Sequence, residues 1–324
     1  MSAVLMTAVI FSLGGVGLLL PILRRAQVMD VPNARSSHLT PTPRGGGLAV
    51  VAALILSSLV GWALDVEAAG AILAAVTAFA VIGFVDDLRS LNVGVRLGLQ
   101  LLLSAGVAVT LLSGGSSLFI LLAAAIAMAG YTNAFNFMDG VNGISALNAA
   151  VAGAWFAILG FRHDEAALAS LGLAIAGASL GFLPWNAPRA RVFLGDVGSY
   201  GLGFAVAAAS LLAWSVDVPL LLAVAPLIIY VADTSWALVK RLWGGRPWHE
   251  AHREHVYQRL TDAGWPHLAS GGLAAAFAGT ACVLALTIDS EPLLVLVFAV
   301  TLVAYVSMPR LVVRDNIAVE ARSE

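Results

Sequence analysis

The sequence predicts an all-α integral membrane protein, a polytopic bundle of about eleven transmembrane helices. Hydrophobic residues make up 60% of the 324 residues and charged residues 11%, against about 45–50% and about 25% in soluble domains. The apolar stretches run for about 17–22 residues without a break, which is the length that crosses a bilayer as a helix. These values exclude a soluble fold, and the formal net charge of −2 gives no reason to expect a nucleic-acid partner.

The apolar stretches define the predicted helices and leave no linker between domains, so we expect one domain over residues 1–324. The first stretch has no basic residue before Arg24, which favours a membrane helix over a cleaved signal peptide. The approximate bounds are about 3–23, 46–64, 68–84, 96–112, 117–133, 144–161, 166–184, 198–215, 218–239, 269–287 and 292–308.

The basic residues predict the orientation of the bundle. The chain has 17 Lys and Arg. Arg162 is the one that falls in an even-numbered connection, and all the others fall in the odd-numbered connections or after the last helix. Because cytoplasmic loops are rich in Lys and Arg, we expect the N-terminus outside and the C-terminus in the cytoplasm.

The first two odd-numbered connections carry groups suited to phosphate and metal. The segment before Gly45 contains Arg35, His38 and Arg44, which can donate to phosphate oxygens. Asp86 and Asp87 come directly after the third stretch, with Arg89 and Arg96 following. Adjacent carboxylates at a membrane helix end are costly unless a cation is shared. No acid stands at residue 90, which argues against a DDxxD box.

The next two odd-numbered connections add amides and further carboxylates. Side-chain amides and a carboxylate of this kind could hold a nucleobase, a sugar or Mg²⁺. Asp196 stands between glycines just before an apolar stretch, where it either caps a helix or offers an oxygen to a metal. The polar residues of these two connections are Asn133, Asn136, Asp139, Asn142, Asn186 and Asp196.

The longest connection holds half of the six histidines, at 249, 252 and 255. Arg253 stands where an HExxH zinc motif needs its second histidine, so we do not predict zinc. An amphipathic segment on the membrane surface is the alternative. Asp233 is an intramembrane acid beyond Pro226, and such acids are candidates for functional sites.

These parts favour phosphoryl transfer at the inner membrane surface. Carboxylates and arginines from several loops, with no Ser or Cys nucleophile motif, suit a reaction that depends on positioning and charge neutralisation. One substrate is then expected to be water-soluble and the other a lipid phosphate. A multi-pass transporter of a small anionic solute is the alternative, although transporters place their polar groups near the bilayer midplane. An inactive scaffold is a third reading, which the retained Asp86, Asp87 and Asp196 disfavour.

Taken together, the loops resemble the polyprenyl-phosphate N-acetylhexosamine-1-phosphate transferases, glycosyltransferase family 4. The resemblance runs over about residues 30–260 and follows the order of the family motifs. The matching stretches are Arg35-Ser-Ser-His38 with Pro41, Pro43, Gly45 and Gly46, then Asp86-Asp87, Asn133-Ala-Phe-Asn136-Phe-Met-Asp139-Gly140, Asn186-Ala-Pro with Phe193-Leu-Gly-Asp196, and the His-rich loop.

The resemblance implies an Mg²⁺-dependent enzyme, with Mn²⁺ as a substitute, that moves a sugar 1-phosphate from a UDP-amino sugar to undecaprenyl phosphate and releases UMP. Asp196 with Asn136 would hold the metal, and Asp86, Asp87 and His255 would be catalytic. It also implies a location in the bacterial inner membrane with the site facing the cytoplasm, and it leaves assembly as a homodimer open. The implied substrate-binding residues are Arg35, His38, Arg44, Arg96, Asn133, Asp139, Asn142, Asn186 and Arg253.

Two departures from the family pattern bear on the sugar. Many relatives have Asp where this chain has Asn142, and many continue the last motif as His-x-His-His, where this chain has His255-Val-Tyr257-Gln258. The Tyr-Gln form resembles the bacterial subgroup that starts O-antigen and uses 6-deoxy sugars, UDP-FucNAc or UDP-QuiNAc. UDP-GlcNAc remains the other candidate donor.

Overall fold

The computed structural model describes residues 1–32, 40–61, 66–112, 115–246 and 253–323, with the backbone alone at 66–68 and 313–323. Helices dominate it, and the prediction of an all-α polytopic bundle is confirmed. The helices are α1 Ser2–Arg25, α2 Gly47–Gly61, α3 Val66–Arg89, α4 Val93–Leu112, α5 Leu118–Met138, α6 Ile144–Arg162, α7 Ala166–Asn186, α8 Gly195–Ser215, α9 Leu220–Val224, α10 Ile228–Trp243, α11 Val256–Asp262, α12 His267–Thr287 and α13 Glu291–Ser323.

Every predicted stretch contains a helix. Within the described residues, ten helical spans are long and apolar enough to cross a bilayer, and α2, at 15 residues, is shorter. The ninth stretch is interrupted: a 3-10 turn at Ala225–Leu227, which contains Pro226, separates α9 from α10. A proline in a helix removes one backbone hydrogen bond and crowds the preceding turn. Helix α13 continues past the predicted membrane stretch to Ser323.

Helix α8 lies at the centre of the bundle, where α2, α3, α5, α6 and α7 pack around it. Of its most apolar window 94% is buried, against 22% for α4 at the periphery. Gly and Ala are frequent along α8, and small side chains let membrane helices approach closely. The central helix therefore fixes the position of its own first turn, which contains Asp196.

Two short strands lie beside this first turn. Strands β1 Met29–Asp30 and β2 Thr42–Pro43 pair antiparallel, and Arg44 forms a parallel bridge with Phe193. The amides of Gly45 and Gly46 both donate to the carbonyl of Phe193. The segment after α1 is thereby held against the start of α8, at the same end of the bundle as the ends of α3, α5 and α7.

Candidate active site

Close helix packing brings the end of α3 to the start of α8. Gly83 lies against the backbone of Asp196 and Val197 so tightly that a Cβ at this position would overlap it. Gly195 has a φ of +75°, and a Cβ there would meet Asp87 Oδ2 at 2.8 Å. Glycine adopts this conformation at no steric cost. These two glycines therefore permit the carboxylates of α3 and α8 to lie side by side.

Asp87 and Asp196 form the centre of the candidate site. Asp87 accepts hydrogen bonds from the backbone N–H groups of Asp196 and Val197, at 3.0 and 3.1 Å. The Arg44 guanidinium pairs with Asp87 and lies 3.0 Å from Asp196 Oδ2. Burial by itself would lower the pKa of Arg44, but attraction to Asp196 and Asp87 raises it above its usual value. A permanent cation thus lies between two acids from distant parts of the chain.

Asn136, at the end of α5, joins the same group. Its Nδ2 donates to Asp196 Oδ1 at 2.9 Å and to Ser199 Oγ at 2.8 Å. Both bonds use the amide nitrogen, so neither occupies the amide oxygen of Asn136, a residue that lines the cavity described below. The structure therefore brings together the two residues predicted to hold a metal.

Asp86 is held separately from Asp87 although the two are adjacent in sequence. It accepts from Arg96 at 2.9 Å, from the Tyr200 hydroxyl at 3.0 Å and from the backbone N–H of Leu91 at 2.8 Å. The Arg96 guanidinium also lies over the Tyr200 ring, 5.8 Å from its centroid. Asp86 thus orients Arg96, a predicted substrate ligand, and Tyr200 is a member of the cluster that the sequence did not reveal.

A polar cavity of about 290 Å³ opens beside this cluster. It extends from the Arg44 and Asp196 side to the loop between α5 and α6 and the start of α12. Its predicted site residues come from loops and from the ends of α5, α7 and α8, and residues from α11 and α12 complete the lining. The polar lining residues are Asp30, Arg44, Asn136, Asp139, Asn142, Asn186, Asp196, Gln258 and His267.

Asp139 is a half-buried carboxyl within the cavity wall. The Ser145 hydroxyl donates to it at 2.6 Å. Burial raises the pKa of Asp139 to about 6, although the Ser145 hydrogen bond opposes this effect. Desolvation disfavours the charged form of a carboxyl. Asp139 therefore changes its charge close to neutral pH.

Asn142 and Asn186 connect the loops that border the cavity. Asn142 Nδ2 donates to the carbonyl of Pro188 at 3.1 Å. Asn186 accepts from the Gly143 backbone N–H at 2.6 Å and donates to the carbonyl of Val192 at 3.1 Å. Asn186 thus fixes the turn that follows α5, and both amides support one wall of the cavity.

Asn133 lies one turn deeper along α5 and is not among the residues that line this cavity. Its Nδ2 donates to Gln100 Oε1 on α4 at 2.6 Å and to the carbonyl of Ala129. Its observed contacts join α4 to α5 rather than reach the open space.

His255 is buried, with 4% of its surface exposed, and lies outside the cavity lining. Its Nδ1 is 3.1 Å from Asp233 Oδ1. Asp233 also accepts from the Val256 backbone N–H and, at 2.9 Å, from the Tyr305 hydroxyl. The acid that the sequence singled out on α10 therefore holds the segment containing His255 in place.

The cavity wall near this segment consists of Gln258 and His267. Gln258 Oε1 accepts from the His255 backbone N–H at 3.2 Å, and His267 Nδ1 lies 3.5 Å from the backbone nitrogen of Asn142. Arg253 pairs with Asp262 at 2.6 Å. Sequence reasoning missed His267 because it lies between an apolar helix and a short polar segment with no motif around it.

Four residues of interest lie outside the described residues. Arg35 and His38 are predicted to bind substrate, and the histidines at 249 and 252 belong to the His-rich loop for which zinc is not predicted. Within the ranges described above, no group of three or more His, Cys, Asp or Glu is arranged as a metal site. A metal ion bound to this cluster would therefore need both carboxylate oxygens and an amide oxygen as ligands.

The comparison with known proteins supports the sequence resemblance. The model of the family described as glycosyl transferase family 4 matches residues 69–214, which include Asp86, Asp87, Asn136 and Asp196. A Bacillus subtilis (strain 168) protein named probable undecaprenyl-phosphate N-acetylglucosaminyl 1-phosphate transferase is 28% identical over 81% of this chain and 79% of its own length.

Two further relatives reach higher identity. The decaprenyl-phosphate N-acetylglucosaminephosphotransferase of Mycobacterium leprae (strain TN) is 31% identical over 81% of this chain and 77% of its own length. The phospho-N-acetylmuramoyl-pentapeptide-transferase of Clostridium perfringens (strain SM101 / Type A) is 31% identical over 71% of this chain and 77% of its own length. With the matched motifs gathered at one end of a membrane bundle, this chain belongs to glycosyl transferase family 4.

Proposed function

We propose that the chain transfers an N-acetyl-aminosugar 1-phosphate from a UDP-sugar to undecaprenyl phosphate. In this reaction an oxygen of the lipid phosphate attacks the phosphorus attached to the sugar. The bond from that phosphorus to the bridging oxygen breaks, and UMP leaves with that oxygen and its electron pair. The names of the two N-acetylglucosaminyl relatives support this reaction class and a polyprenyl phosphate acceptor.

One observation carries the proposal: Arg44, Asn136 and Asp196 contact one another and line a polar cavity whose lining also includes Asn142. Asp87 lies directly behind this group, in contact with Arg44 and Asp196. The charged group of Arg44 and Asp196 suits a diphosphate, and the amides of Asn142 and Asn186 suit the hydrogen-bonding groups of a nucleoside. This division is what a nucleoside diphosphate sugar requires, and a lipid phosphate would enter from the membrane side.

The donor atoms of this cluster fit Mg²⁺. This ion prefers oxygen ligands and is commonly held by one or two carboxylates together with substrate phosphates and water. Asp196, the Asn136 amide oxygen and Asp87 supply such oxygens. When bound, the ion would neutralise charge that develops on the phosphoryl oxygens.

The chain's own residues then orient the phosphates. Arg44 lies against the two acids at the cavity edge, where its guanidinium can bind a phosphate oxygen once a metal shares their charge. Asp86 and Tyr200 hold Arg96 in a fixed direction, which suits it to the acceptor phosphate. Asp87 contacts the backbone of Asp196, whereas Asp86 contacts Arg96 and Tyr200. We therefore assign Asp87, rather than Asp86, as the carboxylate beside the reacting groups.

The sugar is expected to lie near Gln258 and His267, which close the cavity on the side of α11 and α12. UDP-GlcNAc and the 6-deoxy sugars UDP-FucNAc and UDP-QuiNAc are the candidate donors. A 6-deoxy sugar lacks one hydroxyl, so the two classes differ in the hydrogen bonds that this wall can satisfy. The product would begin a cell-surface polysaccharide.

We place the site at the cytoplasmic face of a bacterial inner membrane. The support is the concentration of Lys and Arg in the loops at this end of the bundle together with the positive-inside rule. Cysteine substitution of Arg189, which is exposed at this end, tests the orientation. An impermeant thiol reagent added outside intact cells should leave that cysteine unlabelled.

The function is tested with the purified protein, undecaprenyl phosphate, Mg²⁺ and a panel of UDP-amino sugars. Release of UMP together with a new lipid diphosphate sugar supports the proposal, and the panel identifies the sugar. UMP release without added lipid phosphate, or no release with any donor, contradicts it. The metal assignment is tested separately. A chelator should stop UMP release, and added Mg²⁺ or Mn²⁺ should restore it.

A further inference from the structure

A second groove lies between α10 and α13, away from the cavity described above. Its volume is about 480 Å³, and the residues that line it differ from those of the polar cavity. Its lining residues are Ala232, Ser235, Trp236, Val239, Lys240, Arg259, Leu302, Val303, Val306, Ser307 and Arg310. Three basic side chains therefore border a groove whose remaining wall is mostly apolar.

The three cations of the groove have no carboxylate partner among the residues that the structure describes. Within that part of the chain, none of Lys240, Arg259 and Arg310 has a carboxylate oxygen within 4.0 Å. The Lys240 ammonium lies 5.9 Å from the centroid of the Trp236 ring. Positive charges brought together at a membrane surface without counter-charges repel one another, and a bound anion relieves this repulsion.

Three acids near the groove, within the part of the chain that the structure describes, have other partners. Glu254 pairs with Arg241 and Arg246, at 3.0 and 2.8 Å. Asp262 pairs with Arg253, and Asp233 accepts from His255, Val256 and Tyr305. Within the described residues, these acids therefore leave the groove cations available to an anion from outside the chain.

The groove and the polar cavity share no lining residue, and no residue of α10 lines the cavity. Asp233, Ala237 and Arg241, spaced by four residues, are buried within the protein. Trp236 and Lys240 lie on a different face of the helix and line the groove. A phosphate bound at Lys240 would thus lie outside the cavity that Asp196 lines. This separation argues against an acceptor lipid poised for reaction.

We propose that the groove binds an anionic phospholipid from the leaflet that borders the candidate active site. Its phosphate would lie among Lys240, Arg259 and Arg310, and its acyl chains would lie along Trp236 and Val303 towards the bilayer. Basic pockets between membrane helices are suited to anionic lipid headgroups, and the apolar wall suits the chains. Such a lipid would link α10, α11 and α13 without taking part in the reaction.

Native mass spectrometry of the purified protein can test this, with phosphatidylglycerol and phosphatidylcholine of identical chains as probes. The groove variant is Lys240→Gln/Arg310→Gln. The matched control is Arg24→Gln/Arg25→Gln, which removes the same charge at exposed positions at the end of α1. We expect the wild type to retain phosphatidylglycerol preferentially and the groove variant to bind it roughly 30-fold more weakly, about fivefold for each cation.

The control should bind phosphatidylglycerol like the wild type. Val303→Trp, at a lipid-exposed position, fills the apolar wall with all cations retained and should also weaken binding. Equal retention of the two phospholipids would overturn the proposal, as would unchanged binding in the groove variant. Displacement of phosphatidylglycerol by an equimolar amount of undecaprenyl phosphate would assign the groove to the acceptor instead and would also overturn it. These outcomes do not depend on UMP release.

Discussion

The backbone N–H of Asp196 donates a hydrogen bond of 3.0 Å to the carboxylate of Asp87, 109 residues earlier in the chain. This bond fastens the end of α3 to the first turn of α8. The same carboxylate accepts from Val197 and pairs with Arg44. The position of the Asp87 carboxylate thus depends on the backbone of Asp196, so a displacement of either acid would displace the other.

Asp196→Asn should abolish UMP release while the protein still inserts in the membrane. Asparagine retains an oxygen that can accept from Asn136 but loses the charge that a divalent cation needs. Because metal-ion stabilisation of phosphoryl transfer is worth several kcal/mol, we expect a loss of at least about 1,000-fold, which leaves no detectable UMP release. The measurement is UMP release with Mg²⁺ present, alongside thermal unfolding in detergent.

The matched control is Asp217→Asn, an exposed acid just after the other end of α8. It has a φ of +63°, a conformation that asparagine tolerates, and should leave UMP release unchanged. Full activity of Asp196→Asn would remove the metal assignment.

Arg44 and Arg162 offer a direct comparison of the two ends of the bundle. Arg44→Ala leaves Asp87 and Asp196 without their shared cation and removes a phosphate donor, so we expect a loss of about 100-fold in kcat/KM. Arg162 is exposed at the end of α6, and its replacement by Ala should change kcat/KM by less than about twofold. An inactive Arg162→Ala protein would contradict the placement of the site.

The sequence was sufficient to predict the helices because hydropathy acts over whole stretches of chain. It also indicated that Asp86, Asp87 and Asp196 meet, since alternating crossings return every second loop to the same end of the bundle. It could not show that the adjacent Asp86 and Asp87 contact different partners. Their side chains are separated by the packing of α4 and α8, through Arg96 and Tyr200.

The placement of His255 was also beyond sequence reasoning. The resemblance predicts a catalytic role for this residue, but its hydrogen bond to Asp233 joins two segments whose spacing predicts no contact. The inclusion of Asp30 and His267 in the cavity wall likewise follows from tertiary packing and from no local motif.

Asp233 is expected to act as a positioning residue for the segment containing His255. Asp233→Asn weakens acceptance from the His255 imidazole and the Val256 amide, and we expect kcat to fall by about 10- to 100-fold. Tyr305→Phe removes one of the hydrogen bonds to the same carboxylate and should cost much less. Steady-state kinetics with both substrates varied, at several pH values, is the measurement.

A purely structural role for Asp233 would lower the amount of folded protein without altering the pH profile or KM of the folded fraction. Asp233→Glu, which retains the charge, should recover part of the activity if positioning is what matters. Equal losses in Asp233→Asn and Tyr305→Phe would argue against this interpretation.

The raised pKa of Asp139, about 6, predicts a pH dependence near neutrality. If the ionised carboxylate serves the nucleotide pocket, kcat/KM for the UDP-sugar should fall as pH decreases through about 6. In Asp139→Asn, kcat/KM for the UDP-sugar should be lower than in the wild type and should no longer change with pH in this range. A wild-type profile that is level from pH 5 to 8 would exclude the role.

The raised pKa of Asp139 also affects the stability of the folded protein. Here the expected trend is opposite to that of kcat/KM, because stability decreases as pH rises. A carboxyl whose pKa in the folded protein lies above its ordinary value of 3.8 contributes stability at low pH, which is lost as pH rises through about 6. Asp139→Asn should therefore raise the unfolding temperature relative to the wild type at pH 7.5 and lose this advantage near pH 4. Thermal unfolding of both proteins across this range provides the measurement.

Two glycines of α3 test whether close packing with α8 is needed for the cluster. Gly83 lies against the backbone of Asp196, so Gly83→Ala would force α3 and α8 apart, at a cost of about 1–3 kcal/mol, and should separate Asp87 from the Asp196 amide. Gly70, on the same helix, has open space around it, with no described atom within 4 Å of the point where a methyl group would lie. Gly70→Ala should be neutral or slightly stabilising, because alanine favours helix by up to about 1 kcal/mol. The unfolding temperature and UMP release are measured for both variants, and both quantities should fall in Gly83→Ala but not in Gly70→Ala. If the two variants behave alike, the contact between α3 and α8 does not set the geometry of the acids.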